Sequence, residues 1–171
     1  MLDPYWKEAL RLVREHETLI ELMLFTLAFA ESIVLVSVFV PSTLIFISIG
    51  ALEGAANGAL FPLVMAGAMG AVVGDIVSFT IGHRFRHDIG QLRGLRDRPE
   101  LVESARALVL RWGLLAIILS KATGPLRPLV PMLAGATSMP WPLFLIVSAA
   151  SSILWSVMVL VPAYYGFNAA T

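Results

Sequence analysis

Between Leu22 and Gly82 the chain carries only three acidic or basic side chains, Glu31, Glu53 and Asp75, and they bound two charge-free runs, Ser32 to Leu52 and Gly54 to Gly74. At about 20 residues per helical span, each run is long enough to cross a bilayer. From Trp112 to Thr171 the charges are Lys121 and Arg127 alone, and none follows Pro128. Two such halves leave a water-soluble fold almost nothing to place on its surface. The composition agrees, with 58% of the 171 residues hydrophobic and 14% charged and a mean hydropathy of +0.83. A soluble enzyme is excluded, and a single all-α integral membrane domain of roughly four to six apolar segments is expected. Twelve basic and twelve acidic side chains cancel, so no net field draws in nucleic acid. The lack of cysteine removes disulfides, thiolate metal sites and a cysteine nucleophile.

The remaining charges are collected in two places. His83 to Arg111 holds Arg84, Arg86, Arg93, Arg96, Arg98, Arg106 and Arg111 against four acids. This connector of loop and amphipathic segment is cytoplasmic by the positive-inside rule. Asp3 to Glu21 mixes Lys7, Arg11 and Arg14 with four glutamates and with Leu10, Val13 and Leu19, and reads as an interfacial helix. Its start lacks the basic and apolar regions of a cleaved signal peptide, so the mature chain is expected to begin there. The predicted order is an N-terminal stretch, 1–21, a first apolar half, 22–82, the connector, 83–111, and a second apolar half, 112–171.

Both apolar halves are interrupted. Val40-Pro41-Ser42-Thr43 breaks the first, followed by Gly50, Gly54, Asn57 and Gly58. Thr123-Gly124-Pro125-Leu126-Arg127-Pro128 and Val130-Pro131 break the second. Proline and small polar residues at membrane depth free backbone groups that lipid cannot satisfy, which is tolerated where protein or a water-filled cavity covers them. The pattern predicts re-entrant hairpins from Glu31 to about Asn57 and from about Lys121 to Ala136. Each precedes a membrane-spanning helix with small residues, Ala66 to Ala71 and Ser148 to Ser152, that let helices approach closely. Interrupted segments in corresponding halves predict oppositely inserted hairpins in an inverted-repeat arrangement, with tips meeting near mid-depth.

A charged side chain at the bilayer centre costs about 2.5 to 3.5 kcal/mol on insertion scales, so these charges must face one another or water. The acids lie in the first half and the bases in the second. Glu31 and Asp75 are therefore expected to meet Lys121 and Arg127 across the interface between halves. Glu53, beside Gly54, reads as a solvated loop glutamate. Buried ion pairs that only fix packing are the bland alternative. The functional reading is that Lys121 and Arg127 supply cations to one anion, for which phosphate is suited. Ser42 and Thr43, at the other break, are candidate substrate contacts. A carboxylate that loses its arginine to that phosphate would hold a proton more readily, which makes Glu31 and Asp75 candidates for proton coupling.

These residues form a pattern that resembles the DedA family, also called the SNARE-associated or VTT-domain family, of polytopic membrane proteins. The resemblance runs from about Glu31 to Gly166. It rests on Glu31-Ser32 with Pro41 following, Gly74-Asp75 with Phe79 and Gly82, and Arg111-Trp112-Gly113. It continues through Ser120-Lys121-Ala122-Thr123-Gly124-Pro125-Leu126-Arg127-Pro128, then Ala134-Gly135, Ser138-Met139-Pro140, Phe144 and Trp155. The resemblance implies two re-entrant hairpins and movement of a polyprenyl phosphate, such as undecaprenyl phosphate, or a phospholipid across a bilayer, in several members with protons. It assigns the hairpin acid to Glu31 and the flanking cations to Lys121 and Arg127. The chain departs from the family pattern at Thr43, where a second acid is common, and at Lys121, where an arginine is common.

A lipid phosphate phosphatase would need a histidine nucleophile and a second histidine as acid, and no histidine follows His87. His83 and His87 are spaced for one helical face but lack a third metal ligand, and read as interfacial headgroup contacts. Trp112, Trp141, Trp155, Tyr164 and Tyr165 read as an aromatic belt with helix packing, and Ser148, Ser151 and Ser152 as close-packing residues. A scaffold or assembly factor is the remaining alternative. The expectation is a flippase- or scramblase-like lipid transporter rather than an enzyme, using no metal or cofactor. Its partners are a lipid phosphate headgroup, protons, membrane lipids and, possible in principle, copies of itself. Its location is the cytoplasmic membrane of a prokaryote, and phosphate capture is expected to follow the charge of Arg127 more than its shape.

Overall fold

The computed structural model describes residues 17–33, 42–86, 89, 95–96, 99–123, 126–137 and 139–168, without the side chains of 17, 42, 167 and 168. These residues form helices α1 (Glu17–Glu31), α2 (Ser42–Ala56), α3 (Leu60–Arg84), α4 (Pro99–Trp112), α5 (Leu114–Ser120), α6 (Leu129–Ala136) and α7 (Trp141–Asn168). Among the described residues, two helices are long and apolar enough to cross a membrane, α3 and the Trp141–Gly166 part of α7. At 1.5 Å per residue, each exceeds the hydrocarbon thickness of about 30 Å.

The four shorter apolar helices are arranged around these two in a reciprocal way. In the first half, α1 packs on α3; in the second half, α5 packs on α7. The other member of each pair crosses over, α2 packing on α7 and α6 on α3, while α3 and α7 also touch each other. Small residues set these crossings, as the sequence predicted for Ala66 to Ala71. A Cβ at Gly70 would overlap the carbonyl oxygen of Phe25, so α1 lies directly on the α3 backbone. The α3–α6 crossing is tight from both sides. A Cβ at Gly82 would strike the Met132 carbonyl, and one at Gly135 would strike the Phe79 carbonyl.

Two apolar clusters fill the interior. One gathers Leu24, Ala28, Phe46, Leu63, Trp155 and Leu160 near α1, α2 and α7. The other gathers Phe79, Ile117, Leu129, Met132 and Phe144 around α6, and Ile89 and Leu95 of the connector join it. The connector helix α4 is amphipathic, as its sequence predicts, burying Ala105 and Val109 while Leu110 and Trp112 stay exposed. It packs on α5 and α6, and Gly113, with φ 54°, turns the chain between α4 and α5.

Helix α1 runs unbroken from Glu17 to Glu31, because nothing in that segment breaks a helix and glutamate is a good helix former. Residues 3–16 of the predicted interfacial stretch lie outside the described residues. Two sequence expectations are corrected at α2. Gly50 and Gly54 do not interrupt it, since they provide clearance for Ala163 and for the Tyr164 carbonyl of α7. For the same reason Glu53 is not a solvated loop residue. It is 2% exposed, on a helix held against α7, and its carboxylate occupies the space that a Cβ on Gly58 would fill.

Candidate functional site

Four charged side chains come from four different chain segments. Glu31 is the last residue of α1, and Asp75 lies in the middle of α3. Lys121 directly follows α5, and Arg127 lies two residues before α6. The segment that carries the two bases is wound tightly enough to satisfy much of its own backbone. Lys121, Ala122 and Thr123 donate N–H groups to the carbonyls of Ile118, Leu119 and Ser120 at 3.0–3.2 Å, and the Arg127 N–H donates to Thr123 at 3.0 Å. Non-helical backbone inside a membrane needs this kind of internal pairing.

The expected pairing between halves is present. Lys121 Nζ lies 2.6 Å from Asp75 Oδ2, and Arg127 Nη1 lies 2.6 Å from Glu31 Oε2. Ser148 on α7 donates to the same Asp75 oxygen at 2.7 Å. Asp75 is fully buried and Arg127 is 1% exposed. Taking such ions out of water costs several kcal/mol each, which an ion pair offsets only when further hydrogen bonds satisfy what remains. Here part of the polar surface is left unsatisfied. Asp75 Oδ1 and Arg127 Nε and Nη2 have no hydrogen-bond partner among the described residues.

The guanidinium lies over the indole of Trp155, with Cζ 3.9 Å from the ring centroid. Together these groups face a cavity of about 510 Å³ into which Glu31, Thr43, Lys121, Arg127, Ser151 and Trp155 project. Its outer wall is apolar, formed by Ile118 and Leu119 of α5 and by Leu154 and Met158 of α7. The cavity thus joins a buried, cation-bearing floor to an oily rim. An amphiphile with an anionic end fits that division.

Of the candidates named from sequence, Glu31, Thr43, Lys121 and Arg127 line this one cavity. Asp75 stands behind Lys121 as its partner. Ser42 begins α2, but its side chain lies outside the described residues, as does His87. His83 is exposed and contacts Arg86 Nη2 through Nδ1 at 3.1 Å. No cluster of three His, Cys, Asp or Glu side chains occurs among the described residues. Sequence reasoning missed two participants. The sequence gives Trp155 as a belt aromatic and Ser148 as a packing residue, whereas one lies over Arg127 and the other binds Asp75. Ser148, Ser151, Ser152 and Trp155 follow one another at i, i+3, i+4 and i+7, a single helical face that ends in an aromatic. That face was the available signal.

The family profile of the VTT domain matches residues 40–165. Inner membrane protein YabI of Escherichia coli K12 is 32% identical over 113 residues, covering 66% of this chain and 44% of YabI. A membrane protein of Buchnera aphidicola subsp. Schizaphis graminum is 27% identical over 129 residues, 75% of this chain and 51% of that protein. Membrane protein Rv2637 of Mycobacterium tuberculosis H37Rv is 34% identical over 107 residues, 59% of this chain and 49% of Rv2637. The chain spans about half the length of the curated relatives it matches. No solved structure matches it. With the profile covering most of the chain and two apolar helices of spanning length in the fold, this protein belongs to the VTT-domain, or DedA, family of membrane proteins.

Proposed function

We propose that the protein moves a phosphate-bearing lipid, a polyprenyl phosphate or a phospholipid, across the bilayer in a flippase- or scramblase-like manner, with proton coupling and without chemical conversion of the lipid. The observation that carries this reading is a buried arginine that lines one cavity together with a lysine and whose Nε and Nη2 have no hydrogen-bond partner among the described residues. A buried cation whose donors are only partly used is costly unless something completes it, and a phosphate presents oxygens suited to such a fork. The apolar wall accounts for a lipid tail, which stays in the membrane while the headgroup enters.

In this reading Arg127 and Lys121 capture the phosphate. Each then loosens its hold on an acid, Glu31 or Asp75, and a carboxylate deprived of its cation in a desolvated site takes up a proton. Release of the lipid returns the cations and expels the protons. The interrupted pairs α1–α2 and α5–α6 are read as oppositely inserted re-entrant hairpins of an inverted repeat. The crossed packing of α2 on α7 and α6 on α3 supports that reading, and rocking of one half against the other would give alternating access. The connector 83–111 faces the cytoplasm, and the membrane is the cytoplasmic membrane of a prokaryote. Thr43, and Ser42 beside it, stand where a headgroup would be contacted from the first break.

The test is headgroup translocation in reconstituted vesicles, comparing a polyprenyl phosphate with phosphatidylethanolamine, with Arg127→Ala as the control. Translocation of either lipid that Arg127→Ala abolishes, at equal incorporation, supports transport. Equal rates with both proteins for both lipids would leave the scaffold reading in its place.

A further inference from the structure

We propose that Trp155 is a positioning residue of the anion site. Its indole lies against the Arg127 guanidinium and holds it where Glu31 receives a single hydrogen bond, so that Nε and Nη2 are kept, buried and unpaired, for a two-oxygen anion such as a phosphate monoester that enters beside them. The proposal rests on the reading of this cavity as a lipid phosphate site and says how that site is kept from closing on itself.

A guanidinium beside a carboxylate in a water-poor cavity has a strong preferred arrangement, two parallel N–H···O bonds from fork to fork. Arg127 does not adopt it. Nη1 alone reaches Glu31, at 2.6 Å, and Nε and Nη2 remain without partners among the described residues. Trp155 covers one face of the guanidinium at 3.9 Å, an electrostatically favourable contact that strengthens on desolvation. The indole is itself held. Phe46 of α2 meets it edge to face, with ring centroids 5.0 Å apart and planes at 63°.

Phe46 is in turn backed by α3 at Gly67, where a Cβ would come within 2.9 Å of the phenyl ring and of Ser156 Oγ. Phe46 is fully buried. A rigid stack therefore runs from α3 through α2 and α7 to the arginine. Bringing a second N–H onto Glu31 would shift the guanidinium against this held indole, so the stack disfavours the fork-to-fork pair, and aromatic packing shares with the carboxylate in orienting the unpaired edge.

The experiment measures binding of dioleoyl phosphatidic acid to the detergent-solubilised full chain, with dioleoylglycerol as the phosphate-free control. Trp155→Leu should weaken phosphatidic acid binding by about tenfold, and Trp155→Phe, which keeps a ring face, by less. Adding Glu31→Gln to Trp155→Leu should restore most of the loss, because an amide competes poorly for the freed guanidinium. A loss that Glu31→Gln does not relieve would overturn the proposal in favour of mere packing, as would unimpaired binding by Trp155→Leu. Should Trp155→Leu fail to fold, Trp155→Phe with and without Glu31→Gln gives the same comparison at smaller amplitude. A second readout needs no lipid. With Trp6, Trp112 and Trp141 changed to Phe, the emission of Trp155 should shift on Arg127→Met, and no shift would refute the stack. Absence of phosphatidic acid binding to the wild-type protein, with the emission shift present, would instead reject the phosphate-lipid reading of the site.

Discussion

Arg127 gives Glu31 one hydrogen bond, from Nη1 to Oε2 at 2.6 Å, and withholds the rest of its fork from that carboxylate. The two residues are 96 positions apart in sequence and belong to opposite apolar halves. The pair therefore joins the halves while leaving two buried donors of Arg127 without a partner among the described residues. Asp75 and Lys121 form a second link of the same polarity, acid from the first half and base from the second.

The unpaired edge changes what Arg127→Lys is expected to do. Charge alone suggests that lysine would preserve capture, but an ammonium cannot serve Glu31 through one nitrogen and a two-oxygen anion through two others in the same plane. Arg127→Lys and Arg127→Ala should both lower translocation by at least about tenfold. Vesicle translocation rates normalised to incorporated protein check this. Near-wild-type rates for Arg127→Lys would show that charge without geometry is sufficient.

Asp75→Asn should be the most destabilising of the charge-removing substitutions. It strands a buried Lys121 ammonium, and breaking a buried pair from one side costs about 3 to 5 kcal/mol. Pairing it with Lys121→Met should recover most of the melting temperature in detergent without recovering transport. Ser148→Ala, which removes a neutral donor from the same carboxylate, should cost less, about 1 to 3 kcal/mol.

If Glu31 carries the coupled proton, Glu31→Gln should flatten the pH dependence of translocation while the protein still inserts. The amide keeps the volume and an acceptor for Arg127 Nη1 but has no proton to exchange. Initial rates between about pH 5 and 8, the window over which such coupling is physiologically relevant, provide the test. A profile identical to that of wild type would reject this role for Glu31.

The α3–α6 crossing predicts a contrast among glycines. Gly82→Ala and Gly135→Ala each drive a Cβ into a carbonyl oxygen of the facing helix, so each should destabilise the protein by about 1 to 3 kcal/mol through overpacking. Gly166→Ala, which has open space around it, should melt like wild type. Thermal unfolding followed by size-exclusion chromatography separates the two outcomes.

Much of this protein is readable in one dimension. A residue that is charged within an apolar run must find a partner wherever it lies, because the cost of an unpaired ion in hydrocarbon does not depend on the details of the fold. This cost alone pairs Glu31 and Asp75 with Lys121 and Arg127 as a group, and prolines and small polar residues mark the break that carries the bases. Helix ends were less legible. Gly50 and Gly54 look like breakers in sequence, yet they are contact surfaces for α7, and Glu53 is buried with them.

What the linear order of residues could not supply was partner choice and orientation. Which acid meets which base, which donor of Arg127 is used, and that Trp155 rather than another aromatic covers it all depend on how the helices of the two halves cross. Those crossings are set by side-chain contact over distances of a few ångströms between residues far apart in the chain. Charge and hydropathy act on each residue wherever the chain takes it, whereas a hydrogen bond or a stacked ring exists only once two helices have met at one angle and depth. The requirement for a buried, mutually neutralised cluster was thus written in composition and spacing, and the unpaired edge of Arg127 was decided by packing.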